Sequence, residues 1–210
     1  MKYNAIIPVK NLDQAKSRLA DYLTAQQRAS LMLDMLHHVI ATLRASDGIE
    51  QVTVVSPDAH VLEQVERWGA TARRENAAGH NPALTAAARE ELAGETGGLL
   101  TISADLPLLQ VQDVHALLER SRSYDVVLAP SQEGTGTNAL LVHPPLALPY
   151  VFGPGSLQRF KQEARRRHLL YTLYSSTGLA LDIDTIDDLE RYLRQASYCP
   201  LSQIACCLGL

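Results

Sequence analysis

The stretch GLALDIDT, residues 178–185, sets Asp182 and Asp184 two positions apart in a run otherwise apolar enough for a buried strand. Side chains at i and i+2 of a strand share a face, so the two carboxylates would stand side by side. Burying like charges is costly unless basic neighbours, a shared proton or a divalent metal ion neutralises them. A third carboxylate, Asp105, stands just after the apolar run LLTIS and before LPLL. Ligands of open α/β sheets sit beyond the carboxyl ends of strands, and Asp105 falls there. Three carboxylates at strand ends suit a hard cation such as Mg2+, which prefers oxygen ligands and completes its shell with phosphate oxygens. The plainer alternatives are a turn or cap aspartate at 105, with Pro107 two residues on, and an exposed edge strand whose aspartates face water.

Three further segments favour anions. GTGTN (134–138) offers unobstructed backbone N–H groups and the hydroxyls of Thr135 and Thr137. GPGS (153–156) runs into a helical pattern, so Ser156 is suited to cap it and the helix dipole to face an anion. VKNLDQAKSRLA (9–20) places Lys10, Lys16 and Arg18 in a loop after the first strand. Each alone is an ordinary turn or solvated charge cluster. Together, with the carboxylates, they describe a site for a metal-bound polyphosphate and a second anion.

Other chemistries lack their residues. GTGTNA matches the G-x-G-x-x-A dinucleotide fingerprint, but the strand-like NALLV follows where a helix is required. No P-loop lysine motif and no G-x-S-x-G elbow occurs. The 7 histidines form no metal-ligand spacing with one another or with cysteine.

Elements that would position these residues alternate along the chain. Strand-length apolar runs fall at 5–9, 52–56, 99–103, 125–130, 138–142, 169–174 and 179–183, and helical patterns at 59–68, 82–93, 111–121, 156–167 and 186–195. The clearest helix opens on a capping box, Thr24 with Gln27, and carries Met32, Met35, Leu36, Val39, Ile40 and Leu43 on one face. Near-continuous apolar strands between amphipathic helices predict an α/β domain with a largely parallel sheet covered on both faces. The loop-rich stretch 125–156 breaks the alternation and predicts a mixed sheet.

The 210 residues fit one domain, here residues 1–195, followed by an uncharged apolar tail, 196–210, which holds all 3 cysteines. That tail is suited to packing onto the domain or into a homodimer interface. A net charge of −4 argues against a nucleic-acid partner, and no apolar run reaches membrane-spanning length. No signal-peptide pattern opens the chain and the cysteines form no disulfide framework, which fits a reducing cytoplasm.

In order along the chain, IPVK…AKSRLA, SADLPLL, GTGTNALL, FGPGS and LALDIDT…DL resemble the guanylyltransferases that activate a phosphorylated three-carbon acid in coenzyme F-420 biosynthesis, over residues 3 to about 195. The resemblance implies a three-layer α/β/α fold with a mostly parallel mixed sheet, like that of the nucleotide-diphospho-sugar transferases. It implies GTP and either phosphoenolpyruvate or 2-phospho-L-lactate as substrates, with Mg2+ as cofactor. By resemblance Asp105, Asp182 and Asp184 hold Mg2+ at the catalytic centre, and Thr137, Gly153 and Ser156 bind the phosphate and carboxylate of the acceptor. Lys10 or Lys16 adds a cation, Lys16 being assigned to the catalytic centre and Lys10 to the acceptor side. Arg18, Gly79 and Asn81 fall to the nucleotide. The glycine-rich loop of the wider superfamily after the first strand is replaced here by IPVKNLDQAKSRLA. A sugar phosphate or molybdopterin acceptor, or a non-catalytic nucleotide-binding module, are the alternatives.

Overall fold

Why the site residues meet follows from the order of the strands. The structure is a computed structural model that describes residues 1–75, 80–94, 96–146 and 148–195. Seven strands form one sheet: β1 (Tyr3–Pro8), β2 (Ile49–Ser56), β3 (Thr71–Arg74), β4 (Gly98–Ile102), β5 (Val126–Pro130), β6 (Thr137–Val142) and β7 (Tyr171–Leu173). Their spatial order is β3-β2-β1-β4-β6-β5-β7. β6 runs antiparallel to both neighbours and every other pairing is parallel. The mostly parallel mixed sheet is as expected.

Two apolar layers cover the sheet. Ala5 and Ile7 of β1 face one cluster with α1 (Ala25–Arg44), α2 (Ala59–Arg67), α4 (Val111–Arg120) and α7 (Ile186–Gln195). Ile6 faces the other, with α3 (His80–Leu92) and α5 (Ser156–Arg166). Strands buried on both faces read as continuous apolar runs because neither face meets water. α1 opens on the expected Thr24–Gln27 capping box, and all six residues of its predicted face are buried.

Three elements differ from expectation. β3, sequence TARR, carries no apolar pattern because it is an edge strand with no buried residue, exposed at both ends. The run 169–174 shortens to the three residues of β7. The predicted strand 179–183 is not a strand: Thr177–Ala180 form a short helix, α6, whose N-cap Ser176 accepts a hydrogen bond from the Leu179 N–H. Beyond it the chain crosses the carboxyl edge of the sheet instead of joining it, and the Ile183 N–H reaches the Asp105 carbonyl at 3.4 Å. The two-residue alternation survives without a ladder, since Leu181 and Ile183 are buried while Asp182 and Asp184 are only partly so. The tail 196–210 and Gly79 lie outside the described residues.

Candidate active site

Between β1 and β4 the strand order reverses: the chain moves outward to β2 and β3, then returns to the other side of β1. That reversal opens a crevice beyond the carboxyl ends of the two strands. The loop after β1 carries Lys10, Lys16 and Arg18; the loop after β4 carries Asp105. Because β6 is antiparallel, its first residue, Thr137, lies at this same edge. A cleft of about 630 Å³ results, lined by nine of the eleven predicted residues: Lys10, Lys16, Arg18, Asp105, Thr137, Gly153, Ser156, Asp182 and Asp184.

The three carboxylates line the same cleft, and an ammonium stands between two of them. Lys16 is in the left-handed region (φ 51°, ψ 41°) between two short 3-10 turns, a conformation unfavourable for a residue with a Cβ. Its side chain is only 5% exposed. Nζ donates to Asp105 Oδ2 and, at 3.0 Å, to Asp184 Oδ1. Burial works against the charged lysine, yet the two carboxylates outweigh it and raise the Lys16 pKa. Burial would also raise the Asp184 carboxyl, but the charge and hydrogen bond of Lys16, with the fields of Arg18 and Lys10, bring it below its ordinary value. Arg18 lies 3.8 Å from Asp184. The Asp184 position is fixed by Asp188, whose Oδ2 accepts from the N–H groups of Asp184 and Thr185 and from the Thr185 hydroxyl at the start of α7.

Asp182 is the carboxylate that Lys16 does not reach. Burial first, then the charge of Asp105, pushes it up to about 6, while a hydrogen bond from Asn138 works the other way. Asn138 was not among the residues singled out from sequence, although it closes the GTGTN motif. Its amide marks β6 as part of the site, a role that a polar residue heading an apolar strand could have signalled.

Opposite the carboxylates lie the anion-friendly loops. The structure corrects the expected cap of α5: Gly155, in the left-handed region at φ 71°, is the N-cap, and Ser156 is the first helical residue. A left-handed cap favours glycine, which lacks the Cβ that makes this region costly. The Ser156 hydroxyl donates to Thr137 Oγ1 at 3.1 Å, joining the two loops, and both residues are buried. Asn81 does not line the cleft. It braces the same loop from behind, its Nδ2 donating to the Phe152 carbonyl at 3.1 Å and its Oδ1 accepting from the Phe152 N–H at 2.9 Å.

These residues fit Mg2+ in part of the arrangement expected. Among the described residues no group of three or more His, Cys, Asp or Glu closes around one point; Lys16 stands between Asp105 and Asp184 instead. Mg2+ needs no such cage, since one or two carboxylates with phosphate oxygens and water complete its octahedron. The donors here are hard oxygens, and Asp182 is a half-buried carboxylate whose pKa is raised by burial and by the charge of Asp105. No described helix is long and apolar enough to cross a membrane.

A family model described as Guanylyl transferase CofC like matches residues 3–196. The phosphoenolpyruvate guanylyltransferase of Rubrobacter xylanophilus is 43% identical over 192 residues, 91% of this chain and 93% of the relative. The 2-phospho-L-lactate guanylyltransferase of Methanocaldococcus jannaschii is 32% identical over 190 residues, 90% of this chain and 81% of the relative. Among solved structures, a chain assigned as a nucleotide-diphospho-sugar transferase from Desulfovibrio desulfuricans G20 matches with a TM-score of 0.82 at 17% identity, over 100% of this chain and 98% of that one. The 4-diphosphocytidyl-2C-methyl-D-erythritol synthase of Anaerococcus prevotii matches with a TM-score of 0.62 at 11% identity, over 92% and 96%. At such identities the structural likeness establishes the fold, which is the expected one. The sequence matches establish more: the chain belongs to the CofC-like guanylyl transferase family.

Proposed function

We propose that this protein transfers GMP from GTP to the phosphate of phosphoenolpyruvate or of 2-phospho-L-lactate, releasing pyrophosphate, as an activation step of coenzyme F-420 biosynthesis. The observation that carries the reading is the two-sided cleft: carboxylates and cations on one wall, hydroxyls and a helix N-terminus on the other. The identity of base and acceptor comes from the names of the relatives.

In this reading an oxygen of the acceptor phosphate attacks the α-phosphorus of GTP in line. The bond from the α-phosphorus to the bridging oxygen breaks, and the electron pair leaves with pyrophosphate. A phosphomonoester has a second pKa of about 6 and is largely dianionic at neutral pH, so the nucleophile needs no general base. The task of the protein is to bring polyanions together. Lys16 and Arg18 offset the triphosphate charge from the β1 side, and Lys10 adds a cation toward the acceptor. Thr137, Gly153 and Ser156, with the first turn of α5, hold the acceptor. Asp182, with Asp105 or Asp184, would hold Mg2+, which supplies charge neutralisation and orientation of phosphate oxygens.

A pyrophosphate-release assay with each of the four nucleoside triphosphates against phosphoenolpyruvate, 2-phospho-L-lactate, 3-phospho-D-glycerate and a panel of sugar phosphates tests the reading. Release with GTP and one of the first two acids is expected. Release only with CTP, or only with a sugar phosphate, would assign the cleft to a different transferase.

A further inference from the structure

Asn138 lines the cleft without belonging to its cationic loop or to its hydroxyl-bearing wall. It is 5% exposed and sits near the start of β6, a strand held between β4 and β5. Its Nδ2 lies 3.0 Å from the Leu179 carbonyl, 3.2 Å from that of Ala180 and 3.1 Å from Asp182 Oδ1. An amide nitrogen has two protons to offer, and here they serve three acceptors, two on the last residues of α6 and one on Asp182. The segment that follows α6, residues 181–184, joins no strand ladder and carries two of the three carboxylates.

We propose that Asn138 is a positioning residue for guanylyl transfer: by engaging Asp182 Oδ1 it fixes the carboxylate plane and turns the other oxygen toward a divalent ion in the cleft. The inference rests on the function proposed above. Its physical basis is that a carboxylate on an irregular segment rotates freely about its terminal torsion, whereas one hydrogen-bonded to a packed strand does not. Groups that orient metal ligands through hydrogen bonds typically change metal affinity or activity 10- to 100-fold when removed. The competing role is purely structural, a clasp on the last carbonyls of α6. The two roles differ in what they predict for ion affinity.

The experiment is a Mn2+ titration, by electron paramagnetic resonance, of the wild-type chain, Asn138→Leu and Leu179→Ala, with unfolding temperatures recorded alongside. Leu179 is fully buried on α6, so its truncation loosens the helix and spares the hydrogen bond to Asp182. Expected are a Mn2+ Kd raised about tenfold or more in Asn138→Leu and changed less than about threefold in Leu179→Ala at comparable loss of unfolding temperature. Turnover of Asn138→Leu should fall by a similar factor, with the acceptor KM nearly unchanged. If Asn138→Leu fails to fold, Asn138→Ser, whose hydroxyl is too short to reach Asp182, gives the same comparison. Equal Kd values in wild type and the Asn138 variant, or equal losses in both variants, would overturn the positioning role. Failure of the wild-type chain to bind Mn2+ would contradict the divalent-ion reading itself, and the positioning role with it.

Discussion

Asp182 loses folding stability whenever it ionises, because burial and the Asp105 charge hold its carboxyl at about 6 against an ordinary value of 3.8. Between those values the folded chain keeps the proton that the unfolded chain has released. Stability is therefore undiminished below about pH 4 and falls as pH rises to about 6, above which the full loss applies. Asp182→Asn removes this penalty. After discounting for solvent screening, the variant should gain about 1–2 kcal/mol at pH 7.5, or about 3–6 °C in unfolding temperature, and nothing at pH 4. Calorimetry at the two pH values checks it. Asp184 has the opposite sign, since Lys16, Arg18 and Lys10 hold it ionised, so Asp184→Asn should bring no such gain. It should lower kcat by about 10²-fold or more while circular dichroism stays native. These residues were legible as chemistry from type and spacing alone. The ammonium between Asp105 and Asp184 was not, because Lys16 is 89 residues from one partner and 168 from the other, and sequence spacing says nothing about such closure.

At the scale of elements, the two loops that face the carboxylates and the segment that bears two of them make separate predictions. Ser156→Ala removes the hydroxyl that ties the α5 loop to Thr137. It should raise the acceptor KM several-fold, on the order of 1 kcal/mol for one hydrogen bond, and leave the GTP KM nearly unchanged; the reverse pattern would exchange the two sides of the cleft. Gly178 is the tight point beneath the carboxylate segment: a Cβ there would lie 2.2 Å from Asp113 Oδ2 and 2.6 Å from the Leu108 carbonyl. Asp113 cannot easily yield, because the same oxygen accepts the Gln110 N–H. Gly178→Ala should cost about 1–3 kcal/mol by overpacking and lower kcat by displacing residues 181–184, as denaturant unfolding and kinetics on one preparation would show. The apolar pattern around residue 178 indicated burial and alternation correctly. It could not distinguish a strand from an extended crossing, since both have period two and only the ladder differs. The edge strand β3 was hidden for the converse reason: its side chains, none of them buried, need no apolar pattern.

For the whole molecule, one reversal of strand order and one antiparallel strand account for the site. The reversal between β1 and β4 opens the crevice, and β6 brings Thr137 and Asn138 to the edge where β1 and β4 end. The parallel sheet and its two apolar layers were legible because each buried strand is apolar on both faces; the strand order was not, because it depends on crossovers that leave no local trace. The most direct test is ³¹P NMR of GTP mixed with phosphoenolpyruvate, or with 2-phospho-L-lactate, in the presence of Mg2+ and the protein. The account predicts a new pair of coupled signals from a guanylyl–phosphoacid anhydride, one pyrophosphate released per adduct, and neither with Asp184→Asn. Intact GTP with both acids, or GDP and orthophosphate in place of the adduct, would contradict it.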